Sequence, residues 1–408
     1  MTIQLLKSKI KERSKIVITG SKSESNRLLL LQALYPELQL GNVSDSDDSL
    51  VMQEALASNE NTIDVHHAGT AMRFLTAYFA SKKGRELVLT GSSRMKERPI
   101  AVLVDALQQL GADISYTETN GCPPLKIRGK TLLKDKVTLK ANVSSQYISA
   151  LLLVASRLEH GLELTLEGDI TSIPYINMTL DLLNQIGVET TFNNQVIVVH
   201  PKIDALKTKY LTVESDWSSA SYFYSMIALS PENTQIELTS YKAKSLQGDA
   251  VLAKLYTSFG VETIFENGVI RIKKTGVVSS DSIVFDLNNS PDIAQTIAVT
   301  CLGLGMACHL TGLHTLKIKE TDRLVALQNE LSKLGGTIDI SEDSLTLYKT
   351  PNLNKNVSIA TYNDHRMAMA FAPLALQVPI IIEDYKVVSK SYPTFWSDLE
   401  TLGFKFIK

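Results

Sequence analysis

The chain contains little cysteine and few aromatic residues, and it has no excess of charge of either sign. Its 408 residues include three cysteines, 7% aromatic residues, and 41 Lys plus Arg against 43 Asp plus Glu. Cys122, Cys301 and Cys308 lack the paired spacing of a metal site, and so few cysteines favour a reducing compartment. Because nucleic-acid-binding domains usually carry a basic excess, the charge balance favours a small anionic ligand.

The sequence also lacks signals for targeting or membrane insertion. Residues 1–7 contain no apolar signal region. Residues 293–316 carry no charged side chain and are long enough to cross a bilayer, but polar residues and a turn at Thr311 and Gly312 interrupt them. We therefore expect residues 293–316 to form a buried helix followed by a strand, with no contact with a membrane. For the whole protein, we expect a cytoplasmic monomer.

A long period organises the sequence. Short polar motifs that lead into apolar helical patterns begin at Gly69, Ser145, Ser218, Asp292 and His365, at steps of 76, 73, 74 and 73 residues. A sixth start, at Gly20, lies 49 residues before the first. Helical patterns also end regularly before a glycine, which is the usual helix stop. These glycines are Gly111, Gly187, Gly260, Gly335 and Gly403.

We interpret the period as six copies of one unit of about 70 residues with the order strand, helix, strand, helix, strand, strand. We predict the domain junction near residues 213–216, between the third and fourth units. The alternative is two unrelated α/β domains whose motif spacing arose by chance.

The helix starts are also the candidate functional positions, because a helix N-terminus presents free N–H groups and a positive dipole to anions. Lys22 stands at the first start, with Arg27 about one turn further on. Gly69 at the second start permits close backbone approach to a ligand. The alternatives are a capped surface helix at Lys22 and a simple turn at Gly69.

Two further motifs in the first half carry donors suited to anions. Arg98 can project a planar donor fork, and Pro99 fits the first turn of a helix. Residues 94–98 read alone are also typical of a solvated charge run. Ser144, Ser145 and Gln146 offer three consecutive small donors at the start of a helix predicted over residues 147–157.

The second half supplies both charge signs. Its candidate residues are Asp292, Lys319, Glu320, Arg323, Asp364, His365, Arg366 and Lys390. If a helix began at Lys319, Lys319 and Arg323 would share one helix face, which is also the pattern of a solvated salt-bridged surface. The pair His66 and His67 has no neighbouring cysteine or carboxylate, so we predict no metal site.

Together and in this order, these motifs resemble the 5-enolpyruvylshikimate-3-phosphate synthase family, and the resemblance spans nearly the whole chain. The matching segments are residues 20–27, 68–73, 98–99, 144–146, 174–176, 218–223, 319–323 and 364–369. The resemblance implies an α/β (α+β) fold of two domains, each of three βαβαββ repeats, as an inside-out α/β barrel of the enolpyruvyl transferase type. It places residues 20–213 in one domain, and residues 1–19 and 214–408 in the other, with hinge crossings near 19–20 and 213–216.

The resemblance also implies a reaction, in which the enolpyruvyl group of phosphoenolpyruvate moves to the 5-hydroxyl of shikimate 3-phosphate without a metal or organic cofactor. The implied catalytic residues are Asp292 as base, Glu320 as proton donor and acceptor, and Lys22. The implied shikimate 3-phosphate contacts are Lys22, Ser23, Arg27, Ser144, Ser145, Gln146, Ser172, Tyr175, Asp292 and Lys319. The implied phosphoenolpyruvate contacts are Lys22, Gly69, Arg98, Gln146, Arg323, Arg366 and Lys390.

Three positions depart from the family pattern: His67 replaces a common Asn, Phe74 a common Pro, and Thr315 lies near a position that is often Asn. A rival reading is UDP-N-acetylglucosamine enolpyruvyl transferase, which typically has a cysteine where this chain has Ser93. The Ser144 motif favours shikimate 3-phosphate instead. A non-catalytic RNA-binding repeat protein is a remote alternative that the charge balance disfavours.

Overall fold

The computed structural model describes residues 1–141, 144–168, 170, 173–202, 204–276, 278 and 280–407. The strands are β1 Thr2–Leu5, β2 Arg13–Ile16, β3 Gln39–Gly41, β4 Thr62–Asp64, β5 Glu86–Thr90, β6 Asp113–Tyr116, β7 Leu125–Arg128, β8 Lys136–Lys140, β9 Leu162–Glu167, β10 Thr190–Asn193, β11 Val196–Val199, β12 Tyr210–Thr212, β13 Gln235–Thr239, β14 Val261–Glu266, β15 Val269–Lys274, β16 Ser282–Asp286, β17 Ala307–Thr311, β18 Ile338–Ile340, β19 Leu345–Leu347, β20 Val357–Ile359, β21 Ile380–Glu383 and β22 Phe406–Ile407. The helices are α1 Lys22–Leu34, α2 Asp47–Ala57, α3 Gly69–Ser81, α4 Ala101–Gln109, α5 Ser145–Ala155, α6 Ile173–Gln185, α7 Trp217–Ala228, α8 Leu252–Leu255, α9 Ala294–Leu304, α10 Arg323–Lys333, α11 His365–Phe371 and α12 Phe395–Leu402.

One supersecondary unit recurs along the chain. In the sheet β4-β5-β7-β6, β4 and β5 are parallel, and β5, β7 and β6 are successively antiparallel. Helix α3 connects the parallel pair and α4 leads into β6, so the unit reads βαβαββ. The sheets β8-β9-β11-β10 and β16-β17-β19-β18 repeat the arrangement. The predicted order of elements is confirmed.

The N-terminal residues complete two sheets whose other strands come much later in the chain. Strand β2 lies parallel to β13 in the sheet β14-β15-β13-β2, and β1 lies between β21 and β22 in another. A separate parallel pair, β12 with β3, joins the two ends of the segment 39–212. By its contacts, the chain divides into two compact units: Gly20–Val213, and Met1–Thr19 with Glu214–Lys408.

The repeated helices that follow the polar motifs are buried nearly all round. Every residue of α3 from Gly69 to Ala80 is buried, and so is every residue of α11. A helix that is covered on all sides belongs to the interior of a domain. In such a helix, the N–H groups of the first turn are the backbone groups that can still bind a ligand, and the polar motifs stand at this turn.

The predicted helix stops are confirmed. Each of the five glycines has a positive φ, from 69° at Gly260 to 107° at Gly403. The uncharged stretch is also as expected, since α9 and β17 occupy it with a left-handed turn at Gly305 between them. Across the part of the chain that the structure describes, no helix is both long and apolar enough to span a bilayer.

Three helix starts differ from the sequence prediction. Helix α5 begins at Ser145, because the Ser144 side chain accepts from the Gln146 amide and caps it there. Helix α10 begins at Arg323, where the Asp322 side chain accepts from two backbone amides, so the condition for a helix face shared by Lys319 and Arg323 is not met. Pro99 lies ahead of α4, whose cap is Ile100.

Candidate active site

In the unit Gly20–Val213, the first helix start is fixed by a close backbone approach. A Cβ at Gly20 would lie 1.9 Å from the Asn42 carbonyl oxygen, so only glycine fits. Ser21 then caps α1 by accepting from the Glu24 amide. Lys22 follows as the first helical residue, and its Nζ lies 3.6 Å from Asp48 Oδ2. Asp48 also lies 3.8 Å from His67 Nε2, so one buried carboxylate contacts both side chains. His66 Nδ1 lies 3.6 Å from Asp64 Oδ1, so the expectation that the two histidines have no neighbouring carboxylate is wrong.

Arg27 is buried and held by neutral oxygens. It donates to the hydroxyls of Thr179 at 2.8 Å and Ser149 at 2.9 Å, and to the carbonyl oxygens of Ser23 and Tyr175. Its guanidinium lies 5.8 Å from the Tyr175 ring. No carboxylate of the described residues lies within ion-pair distance, and burial lowers the pKa of Arg27 to about 10. Tyr175 and Glu24 act in the opposite direction on this pKa, and the result is a buried cation that burial disfavours, suited to an anionic ligand.

A second cluster forms where α3 begins. A Cβ at Gly69 would lie 2.6 Å from Arg98 Nη1, so the arginine packs directly on the glycine. The Gln146 amide donates to the Thr70 hydroxyl at 3.2 Å. The structure thus brings Gly69, Arg98 and Gln146 together, three residues implied to contact phosphoenolpyruvate. Ser145 lies beside Gln146 and is buried, while Ser172 lies outside the described residues.

In the other unit, Arg323 is the centre of the candidate site. It donates to Asp364 at 2.6 Å, to Asp292 at 2.8 Å and to Glu320 at 2.8 Å. Its side chain is 2% exposed. Burial acts to lower the pKa of Arg323, but the negative charges of Asp364, Glu320 and Asp292 outweigh it and raise the pKa well above its ordinary value. Both implied catalytic carboxylates are therefore neighbours of one arginine.

Asp292 links Arg323 to further cations. Arg366 donates to the Asp292 carbonyl oxygen at 3.1 Å and lies 3.4 Å from its carboxylate. Lys319 Nζ lies 3.5 Å from Asp292 Oδ1. Lys390, by contrast, donates to the Asn363 carbonyl oxygen at 2.6 Å. Five of the implied residues thus form one charged network: Asp292, Lys319, Glu320, Arg323 and Arg366.

Asp249 adds a buried carboxyl group behind this network. Its carboxylate accepts from the Ser218 hydroxyl, which in turn accepts from Arg366 at 3.2 Å. Burial, and after it the negative charge of Asp292, raises the pKa of Asp249 to about 6. Asp249 is thus coupled to the implied phosphoenolpyruvate-binding arginine through a single hydroxyl.

Sequence reasoning missed several supporting residues: Asp48, Ser149, Thr179 and Asp249. Ser149 stands four residues after Ser145, and Thr179 four residues after Tyr175, on otherwise apolar helix faces. A polar residue one turn beyond a functional start was the available signal. Asp249 carried none, because its partner Ser218 is distant in sequence.

Comparison with known proteins places this arrangement in a class. Solved structures that match along the full chain include EPSP synthase from Acinetobacter baumannii, with a TM-score of 0.79 at 20% identity over 100% of both chains. They also include the enolpyruvyl transferase NikO from Streptomyces tendae, with a TM-score of 0.72 at 13% identity over 100% of this chain and 98% of the other. At such identities the likeness shows the fold alone. The fold is that of the enolpyruvyl transferases, as predicted.

Sequence comparison then narrows the class. The model of the EPSP synthase family, 3-phosphoshikimate 1-carboxyvinyltransferase, matches residues 51–399. Proteins of that name from Bacteroides fragilis and Haemophilus influenzae are 45% and 36% identical, over 98% and 96% of both chains respectively. The chain belongs to the EPSP synthase family and is a transferase.

Proposed function

We propose that the protein transfers the enolpyruvyl group of phosphoenolpyruvate to the 5-hydroxyl of shikimate 3-phosphate and releases phosphate. Family membership over residues 51–399 supports this reaction, and it disfavours the UDP-N-acetylglucosamine reading. The observation that carries the proposal is the Arg323 network, because it holds three carboxylates and two further cations in one place. Such a set can move protons and bind a carboxylate or phosphate.

We assign shikimate 3-phosphate to the residues that the family resemblance implies. Arg27, with Ser23, takes the shikimate carboxylate, and the buried positive charge of Arg27 supports this role. The 3-phosphate is assigned to Ser144, Ser145, Ser172 and Lys319, with Tyr175 and Gln146 nearby. The helix start at Ser145 offers free amides for the phosphate oxygens.

We assign phosphoenolpyruvate to the two remaining clusters. Arg323 and Arg366 take its carboxylate, and Lys22, Arg98, Gln146 and Lys390 surround its phosphate beside the Gly69 backbone. Arg98 already lies on Gly69, which supports a phosphate close to both. Positive groups there also stabilise phosphate as it leaves.

In the proposed mechanism, Asp292 takes the proton of the 5-hydroxyl of shikimate 3-phosphate. The 5-oxygen then attacks the central carbon of phosphoenolpyruvate. Glu320, with Lys22 as a partner in proton transfer, protonates the methylene carbon and a tetrahedral intermediate forms. Glu320 then removes a proton from the new methyl group as the C–O bond to phosphate breaks. No cofactor takes part in these steps.

The Arg323 contacts suggest how Glu320 obtains its proton. A nearby arginine favours the ionised carboxylate, whereas a nearby negative charge favours the protonated form. When the carboxylate of phosphoenolpyruvate binds Arg323, it competes with Asp292 and Glu320 for the same donors. We propose that this exchange frees both catalytic carboxylates and helps to protonate Glu320.

The test is a phosphate-release assay with the purified protein and phosphoenolpyruvate. Release should require shikimate 3-phosphate, and UDP-N-acetylglucosamine should not replace it. Release that depends on the nucleotide sugar would instead support the rival reading. A filter-binding measurement with RNA addresses the remote alternative, and we expect no retention.

We also propose that the enzyme acts as a monomer in the cytoplasm. All of the assigned site residues come from one chain, and its few cysteines suit a reducing compartment. Light scattering at assay concentration should give the mass of a single chain.

A further inference from the structure

Arg73 is a buried cation that none of the assigned roles uses. It lies one turn after Gly69 on α3 and is 3% exposed. Its Nη1 donates to the Gly69 carbonyl oxygen at 3.2 Å, and its Nη2 donates to the Pro99 carbonyl oxygen at 3.1 Å. Gly69 begins α3 and Pro99 directly follows Arg98, so one side chain ties together the two segments assigned to the phosphate of phosphoenolpyruvate.

The burial of Arg73 is unfavourable for stability. Within the described residues, no carboxylate lies within ion-pair distance, and its Nε has no hydrogen-bond partner. Burial, followed by the positive charge of Arg98, lowers the pKa of Arg73 to about 10. An apolar side chain of similar volume often serves the stability of such a site as well or better. The cation therefore points to a role in the site rather than in the fold.

We propose that Arg73 is a positioning residue for the phosphate of phosphoenolpyruvate: it fixes the Gly69 backbone against the Arg98 guanidinium and adds a second positive charge behind them. The inference rests on the proposed function of that subsite. It assigns no contact between Arg73 and the substrate. The charge acts through the low-dielectric interior, where electrostatic interactions are stronger than in water.

Tyr147 offers a matched comparison, because its hydroxyl also donates to the Pro99 carbonyl oxygen, at 2.6 Å. Its ring lies 5.9 Å from the Arg73 guanidinium. Tyr147→Phe removes one support of Pro99 without changing charge. Arg73→Lys keeps the charge but loses the planar fork that spans two carbonyl groups. Arg73→Met removes both.

The experiment measures steady-state kinetics and thermal unfolding of the full chain for these three variants. For Arg73→Met, we expect the KM for phosphoenolpyruvate to rise at least about 10-fold, because the electrostatic support of one positive charge is lost. The KM for shikimate 3-phosphate should stay within about 2-fold of the wild-type value. Arg73→Lys should fall between Arg73→Met and the wild type, and Tyr147→Phe should stay close to the wild type. The melting temperature of Arg73→Met should not fall.

A purely structural Arg73 gives a different pattern. It would lower the melting temperature and change both KM values together or neither, and either result overturns the proposal. If Arg73→Met does not fold, the same split in KM must appear in Arg73→Lys. Inorganic phosphate provides a readout that does not need the reaction: it should raise the melting temperature of the wild type and not of the folded Arg73 variant that is used. If inorganic phosphate raises the melting temperatures of the wild type and the variant equally, the proposal is overturned. This result does not depend on whether the proposed reaction takes place.

Discussion

Arg323 gathers three carboxylates around one guanidinium, and two of them, Asp292 and Glu320, are the proposed base and acid. The third, Asp364, is fully buried and accepts from Arg323 at 2.6 Å. It also caps α11 by accepting from the Arg366 amide. Asp364 therefore holds the arginine independently of Asp292 and Glu320, and under the proposed mechanism it would keep that contact when the substrate carboxylate displaces the other two.

Replacing either catalytic carboxylate by its amide should stop proton transfer with little loss of binding. We expect Asp292→Asn and Glu320→Gln each to lower turnover about 10²–10⁴-fold, the usual contribution of a positioned acid or base. Asp322→Asn is a matched control in the same segment, since asparagine can keep the cap of α10. Stopped-flow and calorimetry would measure turnover and binding, and near-normal turnover in both amide variants would remove these residues from the mechanism.

Asp249 provides a prediction in pH. Its pKa of about 6, above the ordinary 3.8, means that the folded protein holds this proton more tightly than the unfolded chain. The ionised carboxylate therefore costs stability above about pH 6, and the cost shrinks as the pH falls towards 4. Asp249→Asn should raise the free energy of unfolding at pH 8 by roughly 2–3 kcal/mol.

Urea denaturation at pH 4, 6 and 8 checks this sign. The gain of Asp249→Asn should be largest at pH 8 and should be small by about pH 4, where the carboxyl is protonated in the folded state and the unfolded chain also begins to bind the proton. A gain that does not change with pH, or a loss at pH 8, contradicts the assignment of Asp249 as a destabilised buried carboxylate.

Among the elements, the position at which α3 starts was predictable from the sequence. The side chain that packs against this start was not. The apolar pattern and Gly69 mark the helix start in the sequence. That Arg98 packs on Gly69 depends on a contact between segments some 29 residues apart (98 − 69 = 29). The same limit explains why the sequence left the start of α10 open: Lys319 and Asp322 both lie near it, and the structure shows that the Asp322 side chain caps the helix.

The repeats were predictable because glycine stops recur five times and polar starts six times along the chain. Pairing between distant strands leaves no local pattern in the sequence, so only the family resemblance placed residues 1–19 with residues 214–408, and the two sheets that β1 and β2 complete required the structure. The candidate residues followed from motif resemblance, whereas their supports, such as Thr179 under Arg27, required the fold.

Gly69→Ala tests the start of α3 as an element. The new methyl group would lie 2.6 Å from Arg98 Nη1, so the arginine must move away from the phosphate position. We expect the KM for phosphoenolpyruvate to rise at least about 10-fold and glyphosate, a family inhibitor by resemblance, to weaken alongside it, while shikimate 3-phosphate is little affected.

Gly129→Ala is the matched control: Gly129 directly follows β7 and packs against the C-terminal end of α3. Its methyl group would lie 2.1 Å from the Lys82 carbonyl oxygen, away from Arg98. It should lower stability and leave the ratio of the two KM values unchanged. Equal effects of Gly69→Ala on both substrates would place Gly69 in a structural turn instead of the pocket.

For the whole molecule, the two compact units are joined by two crossings of the chain. In one unit, the Asp216 amide donates to the Thr19 carbonyl oxygen at 3.3 Å. In the other, Asn42 donates to the Val213 carbonyl oxygen at 2.9 Å. The two crossings are thus hydrogen-bonded to their own units close to residues 19–20 and 213–214, where we continue to predict the hinge.

Ligand binding should stabilise the folded protein against heat. Shikimate 3-phosphate with glyphosate should raise the melting temperature, since a ligand that binds only the folded state stabilises it by mass action. Differential scanning calorimetry with single ligands and with the pair measures this. An unchanged melting temperature at saturating concentrations of the pair would contradict the proposed binding of these ligands.

The central claim is the transfer itself, and identification of the product tests it most directly. Purified protein is incubated with phosphoenolpyruvate and shikimate 3-phosphate, and the products are analysed by mass spectrometry and NMR. The account predicts that shikimate 3-phosphate gains one enolpyruvyl group on its 5-oxygen for every phosphate released. Phosphate release with shikimate 3-phosphate left unchanged, or a group attached at another oxygen, would contradict it.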